Sequence, residues 1–264
     1  MHRVFELCWN FHPVSANSEQ HPDVVLTQAN SYPVSIASLL EFVQETQGKH
    51  TKLEVVDIGA FVKSVADSET LAFLFKRFRS DKHVHGYHQL YSQLFAREAP
   101  IKVLEIGLGT NNPQLLSSMG VHGQPGASLR AFREYFPAAQ IFGADIDTDI
   151  LFTEDRIRTA FVDQLRPETF ATTTSALGET SFDFIIDDGL HSLTANINTL
   201  LFGLKHVNAG GYVVIEDIAT HSDIDTFIGT IWKSVADIVN MSGEFEAQII
   251  KATYARMFLV HKKM

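Results

Sequence analysis

Residues Phe182 to Ser192 read FDFIIDDGLHS, an apolar run of strand length that stops in Asp187-Asp188 and is followed by His191. A second run, Gly211 to Ile218 (GYVVIEDI), stops in Glu216-Asp217. The residues between them suffice for one helix. A strand, a crossover helix and a second parallel strand bring both acid pairs to one edge of a sheet, where open α/β folds keep their ligand crevice. Carboxylate oxygens suit a hard divalent cation, and an imidazole beside them suits a general base.

Working outward, the same pattern repeats. Ile101 to Gly109 (IKVLEIGLG) reads as a buried strand entering a glycine turn, followed by a helix over Ala127 to Tyr135. Ala139 to Asp145 and Ile157 to Asp163 are the next strands, and Glu168 to Ala176 is a helix. Past the opening pair, a helix over Asp223 to Val239 precedes two strands, Phe245 to Ile250 and Ala255 to His261, whose short connection makes them antiparallel. The expected fold class is α/β: a Rossmann-like, mostly parallel seven-stranded sheet with an antiparallel terminal strand pair, plus an N-terminal appendage. The division falls into residues 1–79 for the appendage and 80–264 for the Rossmann-like domain.

The appendage is less regular. Prolines punctuate the first 33 residues, Val34 to Gln47 has helical spacing before Gly48, and Leu53 to Ile58 reads as a short strand. The turn at Asp57-Ile58-Gly59 lacks a second glycine, so it reads as structure rather than a cofactor loop. Ser68 to Arg79 reads as an amphipathic helix with Ser68 as N-cap. Asp81 to Phe95 (DKHVHGYHQLYSQLF) is dense in His and Tyr. It reads as an aromatic segment over the mouth of the domain, with Tyr87 and Tyr91 on one helical face, in preference to a metal cluster of His83, His85 and His88.

Composition sets bounds on function. With 45% hydrophobic and 20% charged residues over 264 positions, the chain is an ordinary globular one, with no apolar run of membrane-spanning length. The opening residues lack a secretory pattern. One cysteine, Cys8, excludes an intramolecular disulfide and fits a cytoplasmic setting. A net charge of −10 argues against nucleic acid as a partner.

The turn Glu105-Ile-Gly107-Leu-Gly109-Thr-Asn-Asn112 carries two glycines of a dinucleotide fingerprint, with Asn112 where the third belongs. A glycine turn with Asp145 and Asp163 closing the next two strands describes a pocket for an adenosine-containing ligand. Glu105, two positions before the first glycine, favours a ligand whose near end is cationic, which describes S-adenosylmethionine. Asp187 and Asp188 point to opposite faces, so Asp187 is the orienting residue on the cofactor side.

Glu105 to Gly109, GASLRAFREYFP, FGADID, IIDDGLH and VIEDI together resemble the class I S-adenosylmethionine-dependent methyltransferases. The resemblance is strongest to the metal-dependent macrolide-sugar O-methyltransferases of the mycinamicin type, over about Ser80 to Met264. It implies that Glu105, Gly107, Gly109 and Ser128 line the methionine end of the cofactor, that Asp145 holds the ribose, and that Asp163 and Gln164 lie near the adenine. It also implies that Asp188, Glu216 and Asp217 coordinate a divalent cation, Mg²⁺ first, with His191 as catalytic base. Leu190 departs from the serine often found there in the family.

The expected function is divalent-metal-dependent O-methyl transfer to a hydroxyl of a sugar or other small natural product, with no membrane or nucleic-acid partner. The N-terminal arm is a candidate lid or homo-oligomer interface. Two alternatives stand beside this: a nicotinamide-dependent Rossmann oxidoreductase, and a catalytically silent S-adenosylmethionine-binding protein.

Overall fold

The computed structural model describes residues 55–120, 123–220 and 227–264. The first 33 residues, the helix expected over Val34 to Gln47 and the start of the helix expected from Asp223 lie outside the described residues. In chain order the elements are β1 (Val55–Asp57), α1 (Val65–Phe78), α2 (Lys82–His85), α3 (His88–Leu94), β2 (Lys102–Ile106), α4 (Ala127–Tyr135), β3 (Gln140–Asp145), β4 (Thr153–Glu154) and β5 (Ile157–Phe161). There follow α5 (Glu168–Leu177), β6 (Phe182–Asp187), α6 (Leu193–His206), β7 (Val207–Thr220), α7 (Phe227–Met241), β8 (Phe245–Lys251) and β9 (Ala255–Lys262).

The strands form one sheet in the order β1-β8-β9-β7-β6-β2-β3-β5-β4. β2, β3, β5, β6 and β7 run parallel as expected, and β9 runs antiparallel to both β7 and β8. These seven are the strands expected from the sequence. Two edge strands flank them: β1, parallel to β8, which lies within the short strand expected over Leu53 to Ile58, and the two-residue β4 beside β5, which was not expected. β4 is too short for a periodic signal. Strand order reverses at β2, between β6 and β3, so the crevice opens above the C-terminal ends of β2 and β6.

Two apolar layers sandwich the sheet. On one face α5, α6 and α7 bury Phe170, Leu177, Ile197, Leu200, Trp232 and Val235. On the other, α1, α3 and α4 bury Leu71, Phe75, Leu90, Tyr91, Phe132 and Tyr135. β1 and α1, assigned by the sequence to the appendage, thus extend the sheet and cover one of its faces. Burying side chains the size of Leu71 or Phe75 contributes about 1.5–3 kcal/mol apiece.

The start of α1 differs from expectation. The helix begins one turn earlier, at Val65, and its N-cap is Ser64, whose Oγ accepts from the Asp67 amide at 3.2 Å. Ser68 is instead a buried residue within the helix. Among the described residues no helix is long and apolar enough to cross a membrane.

Candidate functional site

Strand alternation decides which acid faces which layer. In β6, Ile185 packs with the α5–α7 layer and Ile186 with the other, so Asp187 returns to the α6 side. There it is fully buried and accepts hydrogen bonds from Gln164 Nε2 at 2.8 Å, Asn196 Nδ2 at 3.1 Å and the Gly189 amide at 3.2 Å. Burial raises its pKa, and these donors work against that shift. Gln164 continues the network, donating also to Thr199 Oγ1 at 2.7 Å and accepting from the Leu190 amide at 2.8 Å. The turn that presents His191 is therefore fastened through Gln164. Gly189 sits so close to it that a Cβ would lie 2.1 Å from Gln164 Oε1.

β7 breaks its alternation at the site. Ile215 pairs with Phe258 and Ala219 with Arg256, so four residue steps on β7 match two on β9. Within this bulge Asp217 adopts a left-handed φ of 53°. Alternation alone would turn Glu216 toward the α3 layer and Asp217 away from it. The bulge instead brings both to the same helix face: Tyr91 Oη donates to Glu216 Oε1 and Tyr87 Oη donates to Asp217 Oδ1. Burial, followed by the neighbouring carboxylates, pushes the pKa of both phenols well above normal, so they remain donors. His191 is also left-handed, at φ 52°. Two non-glycine residues in that region, at about 1–2 kcal/mol each, sit on either side of the rim.

Asp188, His191 and Asp217 converge. One ligand atom from each lies within 4.8 Å of the others, the only such group found among the described residues. His191 Nε2 is 3.6 Å from Asp188 Oδ1 and 4.0 Å from Asp217 Oδ2. All three line a cavity of about 430 Å³ that also touches Gly107, Gly109 and Ser128.

Glu216 is engaged elsewhere. Both its oxygens accept from the ammonium of Lys82, at 2.8 and 2.7 Å, and Lys82 also donates to Asp188 Oδ2 at 2.6 Å. Glu105 Oε1 lies 3.1 Å from the same nitrogen. Burial opposes charge on Lys82, yet Asp188, Glu216 and Glu105 outweigh it and hold the pKa well above normal. Burial would likewise raise the Asp188 pKa, but Lys82 and His191 bring it below the usual carboxylate value. Glu216 goes the other way, raised well above normal by burial and by the charge of Asp188.

The remaining candidates fall around the cavity. Gly107, at φ 95°, passes so close to β6 that a Cβ would stand 2.0 Å from the Asp188 carbonyl oxygen, so the two strand ends meet only because it is glycine. Glu105 is fully buried and does not reach the cavity; it accepts from Ser128 Oγ at 2.5 Å, and Ser128 is the cavity-lining member of that pair. Asp145 also lines the cavity and accepts from the backbone amides of Leu108 at 2.6 Å and Asp147 at 2.8 Å. Asp163 is there too, accepting from the Leu165 amide at 3.0 Å and from Arg166 Nε at 3.0 Å.

No protein-family model matches the chain. Among curated proteins it is 34% identical over 158 residues to the 8-demethyl-8-alpha-L-rhamnosyl tetracenomycin-C 2'-O-methyltransferase of Streptomyces olivaceus, covering 58% of this chain and 39% of that protein. It is 35% identical over 142 residues to the mycinamicin VI 2''-O-methyltransferase of Micromonospora griseorubida, covering 53% of this chain and 30% of that one. Its relatives are sugar O-methyltransferases. The matched stretch spans well under half the length of each. Among solved structures, the MycE methyltransferase of the mycinamycin pathway, in complex with Mg, SAH and mycinamycin VI, aligns with a TM-score of 0.57 at 25% identity. That alignment covers 74% of this chain and 53% of MycE.

The Rossmann-like fold and the similarity to these O-methyltransferases agree with the sequence motifs. What sequence reading missed is Lys82. It stands in the aromatic segment scanned for its histidines, and those lie apart: His83 Nδ1 donates to the Ser80 carbonyl at 2.7 Å, and His85 stacks on Tyr87 with ring centroids 5.3 Å apart. A signal was present, since four carboxylates gathered at one rim call for a buried cation from a neighbouring segment.

Proposed function

We propose that the chain is an S-adenosylmethionine-dependent, divalent-cation-dependent O-methyltransferase acting on a hydroxyl of a sugar or other small natural product. The observation that carries this reading is the convergence of Asp188, His191 and Asp217 on a cavity that starts at the Gly107–Gly109 turn. The cavity volume lies in the usual range for small-molecule sites. Similarity to the sugar O-methyltransferases supports the acceptor class.

When bound, S-adenosylmethionine supplies a methyl group on a cationic sulfur that leaves as a neutral thioether. Gly107, Gly109 and Ser128 would border its methionine end, Asp145 its ribose, and Asp163 its adenine. Asp188 and Asp217 are the acids that would hold a cation, with an oxygen-rich donor set that suits Mg²⁺. Glu216 stands behind them and would join by exchanging Lys82 for the ion. A bound cation would lower the pKa of a coordinated hydroxyl. His191 Nε2 then accepts the hydroxyl proton as the oxygen forms its bond to the methyl carbon. Gln164 and Asp187 keep the His191 turn in place while this happens, and the rim and the cavity wall position the two reactants.

The test is calorimetric titration with S-adenosylmethionine, with and without MgCl₂, followed by methyl transfer to a panel of glycosylated acceptors. Absence of cofactor binding at about 1 mM would sink the proposal. Turnover that survives chelation would remove its cation half.

A further inference from the structure

We propose that Lys82 is a built-in counter-ion of the acid rim, a tethered ammonium that competes with a divalent cation for Asp188 and Glu216. The inference rests on the reading of the rim as a cation site. Lys82 is 1% exposed and its nitrogen has four carboxylate oxygens around it: Asp188 Oδ2, both oxygens of Glu216, and Glu105 Oε1. An ammonium has three protons, so it cannot serve four acceptors equally, and it sits among them as a small cation would. Neither Glu216 nor Glu105 reaches water, so without Lys82 their charges would face one another across a dry interior.

The position of the lysine has a second meaning. Lys82 belongs to α2, and the segment that follows supplies Tyr91, which donates to Glu216 Oε1 alongside the ammonium, and Tyr87, which donates to the neighbouring Asp217. One stretch of chain thus brings a positive charge and two hydroxyl donors to the rim, and it satisfies the carboxylates before any ion arrives. A divalent ion entering beside Asp188 and Asp217 meets this fixed positive charge, and Glu216 becomes available to it only if the ammonium yields. Lys82 therefore weakens the hold on the ion and lets the rim keep its shape without one.

The experiment compares wild type with Lys82→Met, measuring Mg²⁺ affinity by calorimetry and the rise in Tm on adding MgCl₂. The variant is expected to bind Mg²⁺ at least about tenfold more tightly, and its Tm to rise more than the wild-type Tm by about 3 °C or more at saturating ion. Folding that occurs only when Mg²⁺ is present would express the same effect in stronger form. Lys82→Gln, which keeps a hydrogen-bonding head without the charge, is read by the same criteria should Lys82→Met not fold. Equal or weaker Mg²⁺ affinity in the neutral variants would overturn the proposal, as would failure of both to fold with or without the ion. If Mg²⁺ affects neither wild type nor variant, the cation reading itself falls and this inference with it; a wild-type response without a gain in the variants refutes the inference alone.

Discussion

Replacing Gln164 with alanine separates a residue that touches the cofactor from one that holds the catalytic turn. Its side chain makes three hydrogen bonds, to Asp187 Oδ1 at 2.8 Å, to Thr199 Oγ1 at 2.7 Å, and from the Leu190 amide at 2.8 Å. The two neutral bonds are each worth about 1 kcal/mol, and the one to the buried carboxylate about 1.5–3 kcal/mol. Their sum, roughly 3–5 kcal/mol, lowers Tm by roughly 10 °C in a chain of this size. Leu190 and Gly189 lose their anchor at the same time, so kcat falls as His191 loses its position. Thermal unfolding, calorimetry with S-adenosylmethionine and steady-state kinetics on one protein preparation give all three readouts. Cofactor affinity is expected to stay within about tenfold of wild type. A variant with unchanged Tm whose cofactor affinity drops by more than that would refute the reasoning and return Gln164 to the adenine side.

Four further outcomes are expected. His191→Ala should lower turnover by about 10²–10⁴-fold with cofactor binding intact, measured by single-turnover methyl transfer and calorimetry; a near-normal rate removes it as the base. Asp188→Ala should abolish the response of Tm to MgCl₂. Ser64→Ala should cost about 1 kcal/mol in denaturant unfolding through loss of the N-cap, whereas Ser68→Ala removes no cap. Glu154, whose pKa is lowered by hydrogen bonds from Arg130 and Arg133, ties α4 to the β4 edge. A lowered folded pKa adds stability that is present above the unfolded value and lost as pH falls through the folded one, so Glu154→Gln should flatten the acid limb of the pH–stability curve below about pH 4.5.

The central strands were legible because both their faces are covered and each is a predominantly apolar run, as in IKVLEI and FDFIID. β4 was hard to read for the opposite reason: two residues carry no period, and its existence depends on a neighbour to pair with. The acids and His191 could be placed at one rim from topology alone. The direction of their side chains could not, because the left-handed backbone at His191 and Asp217 is a tertiary feature with no glycine to announce it. Lys82 belongs to the same class, since its partners are 23, 106 and 134 positions away in sequence. The cap at Ser64 could have been read, because Ser64 and Asp67 stand at the spacing of a capping pair, S-x-x-D.

The bulge in β7 makes the rim depend on counting as well as on chemistry. Glu216 and Asp217 look toward the same tyrosines because β7 holds two residues more than its partner over that stretch. Deleting Ile218, the one residue between Ile215 and Ala219 that is not an acid, would keep every functional side chain in the protein and still disturb the facing of the acids, since each step along a strand reverses its facing. A homologue with the same letters in a loop one residue shorter should be read as having a different rim. In this chain, the length of a few residues of strand is itself part of the site.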